Sequence, residues 1–483
     1  MKIDTRLLGL ALIALAWQAH AAAQEVSASR AAGLMGATPP EQSGYVDLLG
    51  GLGYTDNALY SGSGHSGDGI ATVGLDTDYK RLGTLSLNLL GNVDRVQYLK
   101  GTYGGSFFGH FIGVGVLGKP TDVLQWRLSD SFGEAMTDPL AAPSPQNLQT
   151  INYAATGPMV NLHFGLTNRL TLFGLYSRTT YQRSPFDSQT YEGGATFEHS
   201  LAGDSSLGLD ASAAHTKYID SAAVQSYFSG TSSAYDIRQA SLVYNAKFVR
   251  TDIMLRAGYN TIQYGGAPRH GAPLYEARIS RQISPFSTVY LDGRQSYSTN
   301  GSSLGSTGAQ IGLQTGASLH PGFAVAQPFN QRTADLGWEF HRARTSFSLT
   351  GSYRQIVFDQ TSVTHDYNHR EEGASILIGR QLRPTMRLQL RAQGYWDHYS
   401  QLDAQTRHET IDLMLTKRFA RTMFWFYIER RHQSGAPGRS GFFASSYNDD
   451  RVGLYVTYDL FGERHMQPSM GGMPGMSGFG GGY

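Results

Sequence analysis

Three observations predict an all-β fold: period-two alternation of apolar and polar residues, a rhythm of short and long links, and a composition rich in aromatics and glycine but poor in charge. The architecture they predict is a transmembrane antiparallel β-barrel of about 20 strands, with 18 the smaller count that the same links allow. The alternation is plain where Leu85, Leu87 and Leu89 face Ser86 and Asn88, and where Ile253, Leu255, Ala257 and Tyr259 interleave with Asp252, Met254, Arg256 and Asn260. Aromatics make up 12% and charged groups 16% of the 483 residues, with 58 Gly and 28 Tyr, a mix suited to strands and tight turns. A mean hydropathy of -0.30 fits a barrel, because each lipid-facing apolar residue is matched by a polar residue facing the lumen.

Composition also excludes. No mature segment reaches the roughly 18 uninterrupted apolar residues of a spanning helix. A net charge of +1 argues against a nucleic-acid footprint, which needs a basic excess gathered on one face. The chain has no Cys, so neither a disulfide nor a thiolate metal site is possible.

In chain order, residues 1–23 read as a secretory signal: Lys2 and Arg6 flank an apolar stretch that ends in the small residues Ala21, Ala22 and Ala23. Residues 24–42, rich in Ala, Ser, Gly and Pro without period, read as a flexible periplasmic lead. The barrel is expected over residues 43–461, followed by a Met- and Gly-rich tail at 462–483 that is expected to be disordered. Within the barrel, short links at Lys80 to Gly83, Gly165 to Asn168, Ser284 to Ser287 and similar places alternate with long ones. Thr137 to Leu148, Tyr297 to Gln331 and Gln433 to Tyr447 are examples of the long class. This is the hairpin rhythm of a barrel with tight turns at one end and long loops at the other. The link from Tyr297 to Gln331, with Pro321 and Pro328, is the expected inward-folding gate.

The last apolar strand, Arg451 to Phe461, places Val452, Leu454, Val456, Tyr458 and Leu460 on one face and Arg451, Gly453, Tyr455, Thr457 and Asp459 on the other. It resembles the closing strand of an outer-membrane β-barrel, and it is expected to pair with Gly44 to Thr55 so that no edge remains in lipid. On this facing, Arg is expected to be tolerated far better at Thr457 than at Leu454.

The strings Gly53 to Asn57, Leu128 to Glu134 and Leu291 to Tyr297, with the length and strand rhythm, resemble the second family of β-barrel porins associated with exopolysaccharide and exosortase systems. The resemblance implies a pore through which a secreted polysaccharide leaves the bacterial outer membrane. A general diffusion porin for small solutes, or a structural or adhesive barrel with a filled lumen, are the alternatives. The partners expected are outer-membrane lipid and lipopolysaccharide, the polysaccharide, barrel-assembly machinery and periplasmic export components.

Polar faces of the strands point to a lumen wall made by Arg127, Glu192, Arg256, Arg278, Asp292, Arg294, Glu339, Arg391, Asp397 and Asp412, with Tyr290, Tyr395, Tyr427 or Tyr455 available for stacking on sugar. Both charge signs occur in comparable number, which suits neutral or weakly charged sugars; the plainer reading is that these charges pair across neighbouring strands and fill the interior. Catalysis has little support. The string Gly301-Ser302-Ser303-Leu304-Gly305 lacks the strand-to-helix elbow of a nucleophile, and Ser346 to Ser352 with His341 supply residue types for a hydrolase without a motif. His365, His369, His398 and His408 lack metal-ligand spacing, so neither cofactor nor metal is expected.

Overall fold

The computed structural model describes residues 42–63, 66–119, 122–201, 204–227, 234–265, 267–299, 327–358, 368–400, 402–436 and 445–460. The signal, most of the lead and the tail expected from the sequence lie outside these residues, as do His365 and the string at 301–305.

The elements follow the alternation. They are β1 (Gln42–Thr55), β2 (Asp68–Arg81), β3 (Leu85–Tyr98), β4 (Ser106–Phe108), β5 (Phe111–Leu117), β6 (Leu124–Met136) and β7 (Leu148–Phe164). Next come β8 (Asn168–Tyr181), β9 (Ser188–Ser200), β10 (Ser205–Tyr218), a short helix (Ser221–Tyr227), β11 (Ala234–Lys247), β12 (Thr251–Tyr264), β13 (His270–Ser284) and β14 (Ser287–Ser298). The remainder are β15 (Phe329–Arg342), β16 (Thr345–Phe358), β17 (His369–Arg383), β18 (Met386–Tyr399), β19 (Ala404–Arg418), β20 (Thr422–Ala436) and β21 (Tyr447–Asp459). Strands β4 and β5 are halves of one strand, because both pair with β3 in a single register, Asp94 opposite Phe108 and Gly91 opposite Phe111. The break falls at Gly109, whose φ of 143° and close approach to the Asn92 carbonyl, 2.2 Å from where a Cβ would stand, admit only glycine. The 21 segments therefore make 20 strands.

Each strand pairs antiparallel with its sequence neighbours, and β1 pairs with both β2 and β21, from Asp47 opposite Asp459 to Thr55 opposite Arg451. The sheet is closed and has no edge. The closing strand is the one expected, but it starts at Tyr447, four residues before Arg451, and β20 runs on to Ala436. Both extensions take residues from the expected Gln433 to Tyr447 link. The string Leu128 to Glu134 lies inside β6. All short links gather at one end of the barrel, together with the start of β1 and the end of β21.

Parity decides the facing of every strand. Leu52, Val73, Leu209, Leu242, Leu336, Ile411, Ile428 and Leu454 are exposed large apolar residues on the outer surface. No water-solvated protein of this kind presents such a continuous apolar belt, whereas a closed barrel with paired backbone groups is the β form that crosses a bilayer.

The inner face is uneven. Along the seam formed by β19 to β21 and β1 to β3, Leu49, Ile70, Val96, Met414, Trp425, Tyr427 and Tyr455 make one packed cluster. Two of its rings are seated in glycine gaps on the strand directly opposite: Tyr427 faces Gly453 and Tyr455 faces Gly51. A Cβ on either glycine would fall within the ring, 2.3 Å from Tyr427 Cε1 or 2.1 Å from Tyr455 Cδ1. The aromatic fills the place of the missing side chain and pins the register of the closing pair. Thr457 lies in the same packed zone at 0% exposure, so it faces the lumen as expected, yet it has no room for a larger side chain. The expectation that Arg is tolerated there is overturned by packing, not by facing.

Two substitutions test the facing. Leu454→Arg puts a charge in the apolar belt and should cost about 2 to 4 kcal/mol. Thr196→Arg, inward on β9 between Thr171 and Asp210, should leave heat-modifiable gel mobility unchanged; equal loss of the folded band in both variants would refute the facing.

Candidate functional site

All ten expected lumen residues face the interior, and most of them fall by exposure into two groups, with Arg127 on β6 and Glu339 on β15 standing outside both. On β8 to β14 the wall is open. Arg256 meets Asp210 at 3.1 Å and Glu276 at 3.3 Å; Arg278 meets Glu276 at 2.6 Å and Asp292 at 2.9 Å. Both arginine side chains keep 32% of their surface exposed. Register builds this ladder: Arg256 stands directly opposite Glu276, Glu276 opposite Arg294, and Arg278 opposite Asp292. Opposite charges on facing positions of antiparallel neighbours stabilise the wall and spend each cation on an anion. Arg294 also donates to Ser296 Oγ at 3.1 Å. Glu192 and Arg127 are electrostatic neighbours on the adjoining stretch, and Arg169 pairs with Glu198 at 2.7 Å. Glu339 stands opposite Thr288 and Ser348.

On β18 to β21 the same kind of pair is sealed. Arg391 donates to Asp412 at 2.6 Å with side chains 7% and 0% exposed. Asp397 accepts from Thr406 at 3.0 Å and is also buried, beside His408. Arg431 with Glu429 and Arg451 with Asp449 continue the buried row. Arg391, Asp397 and Asp412 are therefore interior structure without an accessible face. Tyr395, Tyr427 and Tyr455 are buried too, Tyr395 stacked on His408 and Tyr455 on Trp425, and offer no platform to a sugar. Tyr290, on the open side, lies over Gly337 and reaches Thr350 Oγ1 at 3.1 Å. Ser346 accepts from Arg387 at 3.0 Å.

The long-loop mouth holds what alternation could not show. Residues 137–147, between β6 and β7, fold inward. Leu140 packs with Tyr399, Leu402 and Ala404 at the β18–β19 connection, and its carbonyl accepts from the Ser445 amide at 3.1 Å. Six strands separate β6 from β19 by the short way round: β4–β5, β3, β2, β1, β21 and β20. On its other flank Arg183, beyond β8, donates to the Pro145 and Gln146 carbonyls. Tyr103, before β4, hydrogen-bonds Ser144, and burial pushes its phenol above the usual range. The signal for this loop was its three prolines, Pro139, Pro143 and Pro145, within eleven residues. The expected gate from Tyr297 to Gln331 falls mostly outside the described residues, since 300–326 are not among them.

Near the seam at the same end, Asn57 Nδ2 donates to the Ser61 and Asn448 carbonyls at 2.8 and 2.7 Å, and Arg451 donates to Tyr60 at 2.7 Å. The first loop is thus tied to the closing strand.

No protein-family model matches the chain, and no curated protein matches it. Among solved structures it is similar to the siderophore receptor PirA from Acinetobacter baumannii, with 12% identity, 88% of this chain and 82% of that chain covered, and a TM-score of 0.47. It is also similar to a mutant of the ferric enterobactin receptor PfeA from Pseudomonas aeruginosa (9% identity, 88% and 81% covered, TM-score 0.43). A third is the FrpB iron transporter from Neisseria meningitidis in its apoprotein form (8%, 86% and 81%, TM-score 0.40).

The contrast between the sealed and open pairs is measurable. Arg391→Leu leaves Asp412 buried and unpaired and should cost about 3 to 5 kcal/mol, whereas Arg256→Gln on the open wall should cost about 1 kcal/mol or less. Urea unfolding in detergent, followed by tryptophan fluorescence, reads both; similar losses would mean that the two halves of the wall do not differ.

Proposed function

We propose that this chain is an outer-membrane pore that carries an exopolysaccharide out of the cell, with no catalysis of its own. The observation that carries the reading is the open wall of β8 to β14, where Arg256, Arg278, Asp210 and Asp292 are partly exposed and, with the buried Glu276 between the two arginines, mutually neutralised. Such a surface offers donors and acceptors to hydroxyl groups without a strong net field. A polymer of neutral or weakly charged sugars can slide past it by exchanging hydrogen bonds, and no single site holds it. Barrels of this strand number are wide enough for a water-filled passage. The resemblance carried by the strings at 53–57, 128–134 and 291–297 supports polymer traffic over small-solute traffic. In this reading the short-turn end faces the periplasm and receives polymer from export components there, and the apolar belt sits among phospholipid and lipopolysaccharide.

The packed seam favours a second reading, a structural or adhesive barrel with a filled lumen. Conduction separates the two. In planar bilayers the pore reading expects discrete conductance steps, and Arg256→Gln with Arg278→Gln should move the reversal potential toward cation selectivity by removing two of the cations that face Asp210, Glu276 and Asp292 and leaving Arg294 beside them. Silence in the bilayer supports the filled barrel. Gene deletion should halt polymer secretion while small-solute uptake continues; the opposite pattern would mark a diffusion porin.

A further inference from the structure

We propose that residues 137–147 form a rigid strap that closes the long-loop mouth and swings out about its neck to open it; the inference rests on the pore reading above. The strap is pre-ordered. Pro139, Pro143 and Pro145 each hold one backbone angle, and proline lowers the freedom the segment loses when it packs.

Its neck is stapled by one side chain. Asn147 Oδ1 accepts from Thr137 Oγ1 and from the Asp138 amide, both at 2.8 Å, while Nδ2 donates to the Asp138 carbonyl at 2.7 Å and the Ala142 carbonyl at 3.1 Å. The Thr137 amide also donates to the Asn147 carbonyl at 2.8 Å. These bonds are all within the loop, so the strap keeps its shape whether or not it is docked.

Docking is a separate and smaller set of contacts. At the far side, among the described residues, it includes Leu140, 3% exposed, in its pocket of Tyr399, Leu402 and Ala404, and the Ser445 to Leu140 bond. At the near side Arg183 and Tyr103 hold Pro145, Gln146 and Ser144. A loop that served only to finish the β6–β7 hairpin would pack on its own neighbours. This one spans from the β8–β9 side to the β18–β19 side, over the seam, with its stiffness built in and its far anchor, among the described residues, centred on one buried leucine and one hydrogen bond. Such a division between internal rigidity and a light external anchor is what a hinged element needs, because few contacts must break together.

The absence of native Cys makes the test clean. Leu140→Cys with Leu402→Cys should cross-link the strap to the far rim on oxidation; the oxidised barrel should conduct less than wild type and stop secreting polymer, and a reductant should restore both. Leu140→Asp should undock the strap and raise the open fraction about tenfold or more, the factor expected from removing one buried leucine. Equal conductance and secretion in the oxidised, reduced and Leu140→Asp proteins would overturn the strap. If a barrel lacking residues 138–146 inserts normally and still conducts nothing, the pore reading fails and takes the strap with it; if that barrel conducts while Leu140→Asp and the cross-link change nothing, the pore stands and the strap alone is wrong.

Discussion

Closure of the sheet is the constraint on which everything else depends. In lipid, an unpaired backbone amide or carbonyl costs several kcal/mol, so the first and last strands must find each other across about four hundred residues of chain. That contact has the highest sequence separation among the described strand pairings, and the largest apolar cluster of described residues lies against it. Trp425, Tyr427 and Tyr455 line the inside of the joint, Arg451 and Asp449 are buried within it, and Asn57 and Tyr60 tie the first loop to the closing strand. The packing compensates for the long loop that closing must order, and a non-local pairing of this kind is a late and slow event in folding.

The cost of that arrangement falls on the lumen. A wall cannot be both a dry core and a wet surface, and the molecule divides the two around its circumference. The inward ion pairs on β18 to β21 are shielded on all sides, which raises both their mutual attraction and the penalty for losing one partner. Those on β10 to β14 are screened by solvent and are individually weak, yet they set the character of the surface that a passing solute meets. The same chemistry, arginine facing carboxylate on adjacent strands, thus serves as structure on one side and as lining on the other.

Much of this was legible in the sequence because it is local. A strand's facing depends only on parity, so Arg256, Arg278, Asp292 and Glu339 could be assigned inward from their own neighbours. The short turns were legible for the same reason, and with them the strand count. What failed to show was everything decided by residues far away in the chain. Nothing near Asp412 or Tyr455 says that they are covered while Asp292 is not; the cover comes from loops and strands that meet only on closure. The strap was missed because a proline-rich link has no period, and its far anchor at Leu402 lies some 260 positions from Leu140. The closing strand was recognised but started too late, since Tyr447 to Asp450 carry polar residues at the loop end that mask the alternation.

The glycine seats along the seam have a consequence for how this barrel can change. Gly51 with Tyr455, and Gly453 with Tyr427, are each a single volume shared between two strands. Neither member can vary alone: a side chain on the glycine collides with the ring, and a smaller residue at the ring position opens a hole in the wall. Among descendants of this chain the two positions should therefore drift as a unit, with a methyl gained on one strand matched by atoms lost on the other. Such linked pairs, placed at the one joint that every other strand relies on, would make the seam the slowest-changing part of a molecule whose rim loops are free to diverge.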